Sequence, residues 1–524
     1  MKGRYTKVIL ILSAVTLIVL CFASNKYWMP FDEGIVTVAS ELTLKGSVPY
    51  RDFFIIMYPP GQIYVLAALY HFFDVSIFTG RMLAVFIQAF LMLAVFLLCL
   101  KITDNLKLSV VGWILALSCS GLRLGVVPSP IWSSMMFSLF GILFVISYAE
   151  NKRFIFLLLA GILTSLAIMH RHDIGMFCYV SICCSLFLSH KKAKNILYYS
   201  LVSFFVPLVV LAYFAKHQAI NDLINSLFLF PFVHEKTAFI AFPKPCFDLT
   251  MIFHGSLSFI KVNQFYVPIL VYCFSAILLF AGFLNNKKFE LKKYEALPIL
   301  IFGVLTFNQA RIRTDPAHLL TVIFPALVLF IYGIWFFSRI HINKILKFLY
   351  ISFIGLISFL FLLIFVKNSD KIFKNIIKKP LRGDIILTAF ERGGIYIPKE
   401  ESGVVLDVVK HIRTKTSEDD RIYVGLLDHS VDSFGGNILL YTLSERMPSA
   451  KYYELAPGLV TSGYVQEEII DSLKTHNVPL LILQKNTKEN SLGKSMLDDY
   501  IGKNYYPSKR IGDYFIYEKD DISR

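Results

Sequence analysis

Eleven apolar stretches divide the first 370 residues, near 8–24, 79–100, 108–122, 131–149, 154–170, 174–189, 195–215, 264–284, 296–309, 318–337 and 347–367. A helix rises about 1.5 Å per residue, so roughly 20 such residues cross the hydrocarbon of a bilayer. The pattern predicts a polytopic α-helical membrane protein of about eleven transmembrane helices, with Met1 to Ser24 an uncleaved first span. Two polar intervals are long, 25–78 and 216–263. The first holds Ile35–Leu44, whose pattern suits an amphipathic interfacial helix, and an apolar stretch Gln62–Phe73 after paired prolines that suit a helix start. The second holds Asn221–Phe232 and the charged run His234, Glu235, Lys236.

Beyond residue 381 the pattern changes. Short alternating runs at Ile395–Pro398, Arg421–Leu427, Pro479–Gln484 and Tyr514–Glu518 read as strands. Glu400–Lys415, Phe434–Glu445, Gly463–His476 and Ser491–Ile501 read as helices. This alternation predicts a small C-terminal α/β domain over 381–524, after a membrane domain over 1–370.

Composition sharpens the division. Hydrophobic residues make up 56% of the chain and charged ones 17%, which excludes a soluble protein of this size. The net charge of +15 is +19 before residue 381 and −4 after it. Basic charge concentrated in membrane loops points to anionic lipid and not to nucleic acid. Lys2, Arg4 and Lys7, then Lys101 and Lys107, Lys152 and Arg153, Lys191 to Lys194, Lys287 to Lys293, and Arg339 to Lys347 fall on alternate loops. Those loops are predicted cytoplasmic, which puts 25–78, 216–263 and the tail outside. The cluster Lys367, Lys371, Lys374, Lys378 and Lys379 opposes this assignment. An even number of spans would place the tail inside; alternatively the cluster lies on lipid headgroups.

With that topology the candidate chemistry gathers on one face: Asp32, Glu33, Arg51 and Asp52; Arg171, His172 and Asp173; and Arg311, Arg313, Asp315 and His318. A carboxylate accepts a proton from an attacking hydroxyl, and arginine neutralises a departing phosphate. Each group also has a plainer reading. Asp32-Glu33 suits a helix cap, Arg171-His172-Asp173 a polar turn, and Arg311 and Arg313 headgroup anchors. Asp428-His429 reads as an exposed turn, and no His/Cys/Asp set has metal-ligand spacing.

The ordered series Phe31-Asp32-Glu33-Gly34, Pro49-Tyr50-Arg51-Asp52-Phe53-Phe54, Tyr58-Pro59-Pro60-Gly61, an apolar helix to Phe73, then Arg81 opening the second span resembles the GT-C fold membrane glycosyltransferases. The closest likeness is to the bacterial branch related to protein O-mannosyltransferase and lipid A aminoarabinose transferase. Arg313-Thr314-Asp315-Pro316-Ala317-His318-Leu319 is similar to a late-loop pattern of that group.

The resemblance implies an inverting hexosyl- or pentosyltransferase on the outer face of a bacterial cytoplasmic membrane. It implies a polyprenyl-phosphate sugar donor, a hydroxyl acceptor on a glycan, lipid or protein, and no cofactor or obligatory metal. Asp32 matches the general base and Glu33 its acidic neighbour. Arg311, Arg313 and His318, then Arg171 and His172, are candidates for the lipid phosphate, with Arg51, Asp52, Tyr58, Asp173 and Asp315 as further substrate contacts. Tyr58 stands where the aminoarabinose branch often has lysine, which leaves the sugar open. Two other classes fit less well: a non-enzymatic transporter or flippase of a lipid-linked saccharide, and a membrane scaffold acting through its tail.

Overall fold

Each of the eleven apolar stretches falls on a helix in the computed structural model, which describes residues 5–120, 123–188, 192–232, 239–248, 258–284, 290–339, 344–388, 390–486 and 495–520. The run His234, Glu235, Lys236 lies outside the described residues. The first span is α1 (Thr6–Ser24). It is followed by two helices of the first long loop, α2 (Asp32–Leu44) and α3 (Gly61–Phe73). The bundle continues with α4 (Ile77–Thr103), α5 (Leu106–Ser120), α6 (Pro130–Asn151), α7 (Phe154–His170), α8 (His172–Phe187) and α9 (Lys192–Lys216). The second long loop carries α10 (Ile220–Ile224) and α11 (Ser258–Asn263). The bundle then closes with α12 (Tyr266–Leu284), α13 (Glu290–Ile312), α14 (Pro316–Phe337) and α15 (Lys344–Ile372). Among the described residues six helices, α1, α4, α6, α9, α14 and α15 with its extension to Arg382, are individually long and apolar enough to cross a membrane.

Local chemistry starts these helices. Ser129 and Asp315 each accept a backbone N–H of the next turn, and each is followed by a proline at the first helical position. α14 runs through the middle of the bundle with almost every side chain buried, while α1, α9 and α15 turn Leu10, Leu201, Phe205 and Leu349 outward. Large apolar side chains on the outside of a bundle are what lipid demands.

A π-helical turn, Phe373–Lys378, carries α15 into the short α16 (Lys379–Arg382). The hairpin β1 (Ile385–Leu387) and β2 (Tyr396–Pro398) follows, then α17 (Lys399–Lys415), β3 (Arg421–Leu426), α18 (Leu439–Ser444) and β4 (Met447–Pro448). The chain ends with α19 (Gly463–Thr475), β5 (Leu480–Gln484), α20 (Met496–Asn504), β6 (Tyr505–Ile511) and β7 (Tyr514–Lys519). The sheet order is β4-β3-β5-β7-β6, with β3 parallel to β4 and β5 and the β7 pairings antiparallel. The helix expected over Phe434–Glu445 shrinks to α18, because Gly435 and Gly436 precede it and Gly436 holds a left-handed φ of +80°. The unexpected strand β6 contains Pro507 and sits at the sheet edge, where a missing N–H is tolerated.

The tail and the first loop share one core. Ile35, Val38, Ala39 and Leu42 of α2 pack with Tyr50, Phe53, Val408, Ile438 and Tyr453. Every residue of α2 from Glu33 to Leu42 is buried, which corrects the expectation of an interfacial helix on lipid. The Tyr453 hydroxyl donates to the Ile35 carbonyl at 2.9 Å, and the Phe54 amide to the Lys451 carbonyl at 3.0 Å. The tail therefore lies on the same side as the loop that leaves α1, as an odd number of crossings requires. The even-count alternative does not fit this packing.

The start of α2 is fixed from beneath. Arg81, fully enclosed on α4, makes a two-pronged ion pair with Glu33, Nε to Oε1 at 2.7 Å and Nη2 to Oε2 at 2.8 Å. It also donates to the carbonyls of Ser24, Lys26 and Tyr27, so one guanidinium ties the end of α1 to the start of α2. Gly34 is needed for a different reason. A Cβ there would stand 2.6 Å from the Ile438 Cβ of the tail.

Replacing Arg81 with leucine leaves the enclosed Glu33 carboxylate and three carbonyls without donors. We expect a loss of about 3–5 kcal/mol, read from thermal unfolding in detergent; a loss below about 1 kcal/mol rejects Arg81 as the anchor. Gly34→Ala is expected to cost about 1–3 kcal/mol through overpacking and to loosen the tail. Limited proteolysis should then cleave the tail faster, and unchanged resistance contradicts the tight contact.

Candidate functional site

Asp32 and Glu33 are neighbours with opposite fates. Asp32 is the first residue of α2 and is exposed; Glu33 is turned inward and has no exposed surface. The N-cap of α2 is Phe31, with no side-chain cap bond, so the capping alternative does not hold. A negative charge at this end of a helix is favoured by the macrodipole. Glu33, expected in a supporting or acceptor-binding role, is sealed against Arg81 with no exposed surface, and from there it holds the turn that precedes Asp32.

The Tyr58-Pro59-Pro60-Gly61 stretch brings a phenol within electrostatic reach of Asp32. Gly61 packs so closely on the end of α7 that a Cβ would lie 2.5 Å from the Met169 carbonyl oxygen. Tyr58 is held by the Tyr50 hydroxyl, which donates to its carbonyl at 2.7 Å. Burial pushes the Tyr58 phenol up, and the charges of Arg171, Asp32, Glu454 and Asp173 all reach it.

Arg171, in the turn between α7 and α8, lies with its guanidinium 5.6 Å from the Tyr58 ring centre. Its Nε donates to Asp173 Oδ1 at 2.9 Å and its Nη2 to Gln309 Oε1 at 2.8 Å. Gln309 in turn donates to Asp173. His172 packs its ring against Phe228 at 5.5 Å, with Nδ1 buried and without a hydrogen-bond partner among the described residues.

One helical turn beyond Gln309 stands Arg313. It pairs with Asp315 at 2.9 Å and its guanidinium lies 5.5 Å from the Phe434 ring centre. Phe434, from the tail, meets Phe31 edge-on at 5.4 Å, and Phe31 immediately precedes Asp32. A circuit of contacts runs from Tyr58 through Arg171, Gln309, Arg313 and Phe434 to Phe31, the residue before Asp32, whose charge also reaches Tyr58. Asp315 caps α14 and receives His318 Nδ1 at 2.9 Å. Burial works against its charge, but the His318 hydrogen bonds and the Arg313 charge hold the Asp315 carboxyl below the usual range.

Other expected residues lie off this circuit. Arg311 is exposed and bonded to Asn308, as a headgroup anchor would be. Arg51 and Asp52 pair with each other at 2.7 Å; Arg51 also reaches the His217 carbonyl at the end of α9, and Asp52 accepts the Val48 amide. Both hold a loop. Asp428-His429 is not an exposed turn: His429 is fully buried, with Nδ1 at 2.6 Å from Asp498 and Nε2 at 2.9 Å from Tyr423.

Three participants escaped the sequence reading. Gln309 is a polar interruption at the end of an apolar run, two residues before Arg311, and was legible in principle. Phe434 carries no local signal. Glu454 of the tail accepts the Ile56 amide at 2.6 Å through one oxygen, and its other oxygen is buried without a partner among the described residues. Burial pushes that carboxyl well up, and its charge reaches Tyr58.

No protein-family model matches the chain, and no curated protein matches it. Solved structures do. ArnT from Cupriavidus metallidurans bound to undecaprenyl phosphate superposes with a TM-score of 0.56 at 10% identity, covering 99% of each chain. The same protein in its apo state gives 0.56 at 10% identity and 98% of each chain. The apo oligosaccharyltransferase of Archaeoglobus fulgidus gives 0.53 at 10% identity over 92% of this chain and 70% of that one. The similarity runs through the tail as well as the bundle, and the chain thus has the GT-C fold that its first-loop motifs resemble.

Proposed function

We propose that the protein is an inverting membrane glycosyltransferase that takes a sugar from a polyprenyl-phosphate donor at the outer face of the cytoplasmic membrane. Asp32 is the general base. It takes the proton of an acceptor hydroxyl as that oxygen bonds to the anomeric carbon. The bond from that carbon to the phosphate oxygen breaks on the opposite face, and its electron pair leaves with the polyprenyl phosphate. Arg171 and Arg313 neutralise the leaving phosphate, with His318 beside them.

The observation that carries this reading is the circuit linking Asp32 to two guanidinium groups from separate helices. An early acid alone has several uses. An exposed acid next in chain to Phe31, which meets Phe434 and through it Arg313, and within electrostatic reach of Tyr58 beside Arg171, suits a reaction that removes a proton at one point and gathers negative charge at another. The undecaprenyl phosphate held by the similar ArnT structure supports a lipid-phosphate donor. The outer face follows from the basic residues of the alternate loops. The acceptor is a hydroxyl of a glycan, lipid or protein.

The test is release of polyprenyl phosphate from a labelled donor by purified protein in nanodiscs, with acceptor added. Asp32→Asn is expected to lower turnover by about 10²–10⁴-fold with donor binding retained. Undiminished turnover removes the base assignment, and donor movement across the bilayer without sugar release favours a flippase. Arg171→Lys keeps the charge but loses the two-pronged geometry. It is expected to weaken donor affinity by at least tenfold while unfolding stays within about 1 kcal/mol of the parent; equal donor affinity rules Arg171 out as a phosphate ligand.

A further inference from the structure

The basic cluster that opposed the topology assignment has a structural counterpart. The apolar part of α15, over 347–366, is long enough by itself to cross the hydrocarbon. The helix continues through the π-turn to Arg382, so Lys371 to Lys379 lie beyond its apolar part, on the side that holds the tail. The end of α1 reaches the same level, because Ala23 and Tyr27 pack with Ile372 and Ile376.

Between these two helix ends and the β1–β2 hairpin is a cavity of about 460 Å³. Its helical wall presents Lys371, Asn375 and Lys379, four residues apart. Neither lysine forms an ion pair among the described residues, whereas Lys374 between them is paired with Asp370 at 2.8 Å. The opposite wall is aromatic: Tyr27, Trp28 and Tyr396. Lys26, only 8% exposed, lies 3.7 Å from the centre of the Tyr396 ring and adds a third positive charge behind that wall. One acid lines the cavity, Glu401. It shares the lining with Tyr27, Trp28 and Tyr396, and burial pushes its carboxyl up.

Tyrosine and tryptophan beside lysine, at the level where a bilayer meets water, is the environment of a lipid headgroup. A soluble anion would meet an equally positive site, but the cavity's place between two membrane helix ends favours a ligand that arrives from the bilayer. The floor of the cavity is also the turn that Arg81 fixes. The Tyr27 carbonyl accepts from Arg81, and Tyr27 holds a left-handed φ of +68°. Trp28 is four residues ahead of Asp32.

We propose that this cavity binds the phosphate headgroup of an anionic bilayer phospholipid, with Lys371 and Lys379 as its ligands, at a site separate from the circuit around Asp32. The reading does not depend on the glycosyltransferase assignment, since it concerns binding alone. The experiment uses the full chain in detergent, with native mass spectrometry and thermal unfolding as readouts. Phosphatidylglycerol is expected to be retained as a discrete adduct and to raise Tm, whereas phosphatidylcholine does neither. K371Q/K379Q is expected to weaken phosphatidylglycerol binding at least tenfold, K371R/K379R to retain it, and K374Q to leave it unchanged. Undiminished binding by K371Q/K379Q overturns the proposal, as does an equal loss in K374Q, which marks diffuse surface attraction. Inorganic phosphate that raises Tm as much as the lipid, at matched concentration, overturns the lipid as occupant.

Discussion

A single enclosed guanidinium sets the geometry on which everything else depends. Arg81 sits on a membrane helix with no exposed surface, and its N–H groups are taken up by Glu33 and by the carbonyls of Ser24, Lys26 and Tyr27. A buried charge is tolerable only when such bonds are complete, and completing them leaves the chain little freedom. The end of α1 must turn back, and α2 must start with Glu33 facing down. In a helix the preceding residue then points elsewhere, and Asp32 is delivered to the outer surface. The ion pair is better regarded as a device for position than as a source of net stability, because desolvation of both charges offsets much of their attraction.

The tail is part of the same construction. α2 is buried on nearly all sides, and among the residues that pack with it are some about 400 positions later, such as Ile438 and Tyr453. Gly34 allows that contact, as Gly61 allows α3 to meet α7. The acidic triplet Asp32-Glu33-Gly34 therefore divides three tasks: an exposed carboxylate, an inward anchor and a space for the tail. Contact with the tail also brings Phe434 between Phe31 and Arg313, so a domain outside the bundle helps to wall the site.

Around that wall the charges are arranged unequally. Arg171 shares its donors between Asp173 and Gln309, and Arg313 leans on Asp315, so each guanidinium is held in orientation. Glu454, whose carboxyl burial pushes well up, adds a buried oxygen without a partner among the described residues.

Local pattern was sufficient for the bundle and much of the tail. Apolar length, proline after a polar cap, and alternation in the tail depend on near neighbours in sequence, and the helices and strands β2, β3, β5 and β7 came out close to where those signals put them. The ordered first-loop motifs were enough to suggest the GT-C fold. Sequence alone gave no sign that Glu33 is sealed while Asp32 is exposed, ranked Arg311 beside Arg313 and ahead of Arg171, and took α2 for a helix lying on lipid. Only the folded chain separated them, because burial, the sealing of Glu33 by a partner 48 residues away and the meeting of Arg313 with Phe434 are contacts between distant segments. Periodicity records which face of an element is apolar; it carries no record of what will cover that face, and here the covering element was the tail.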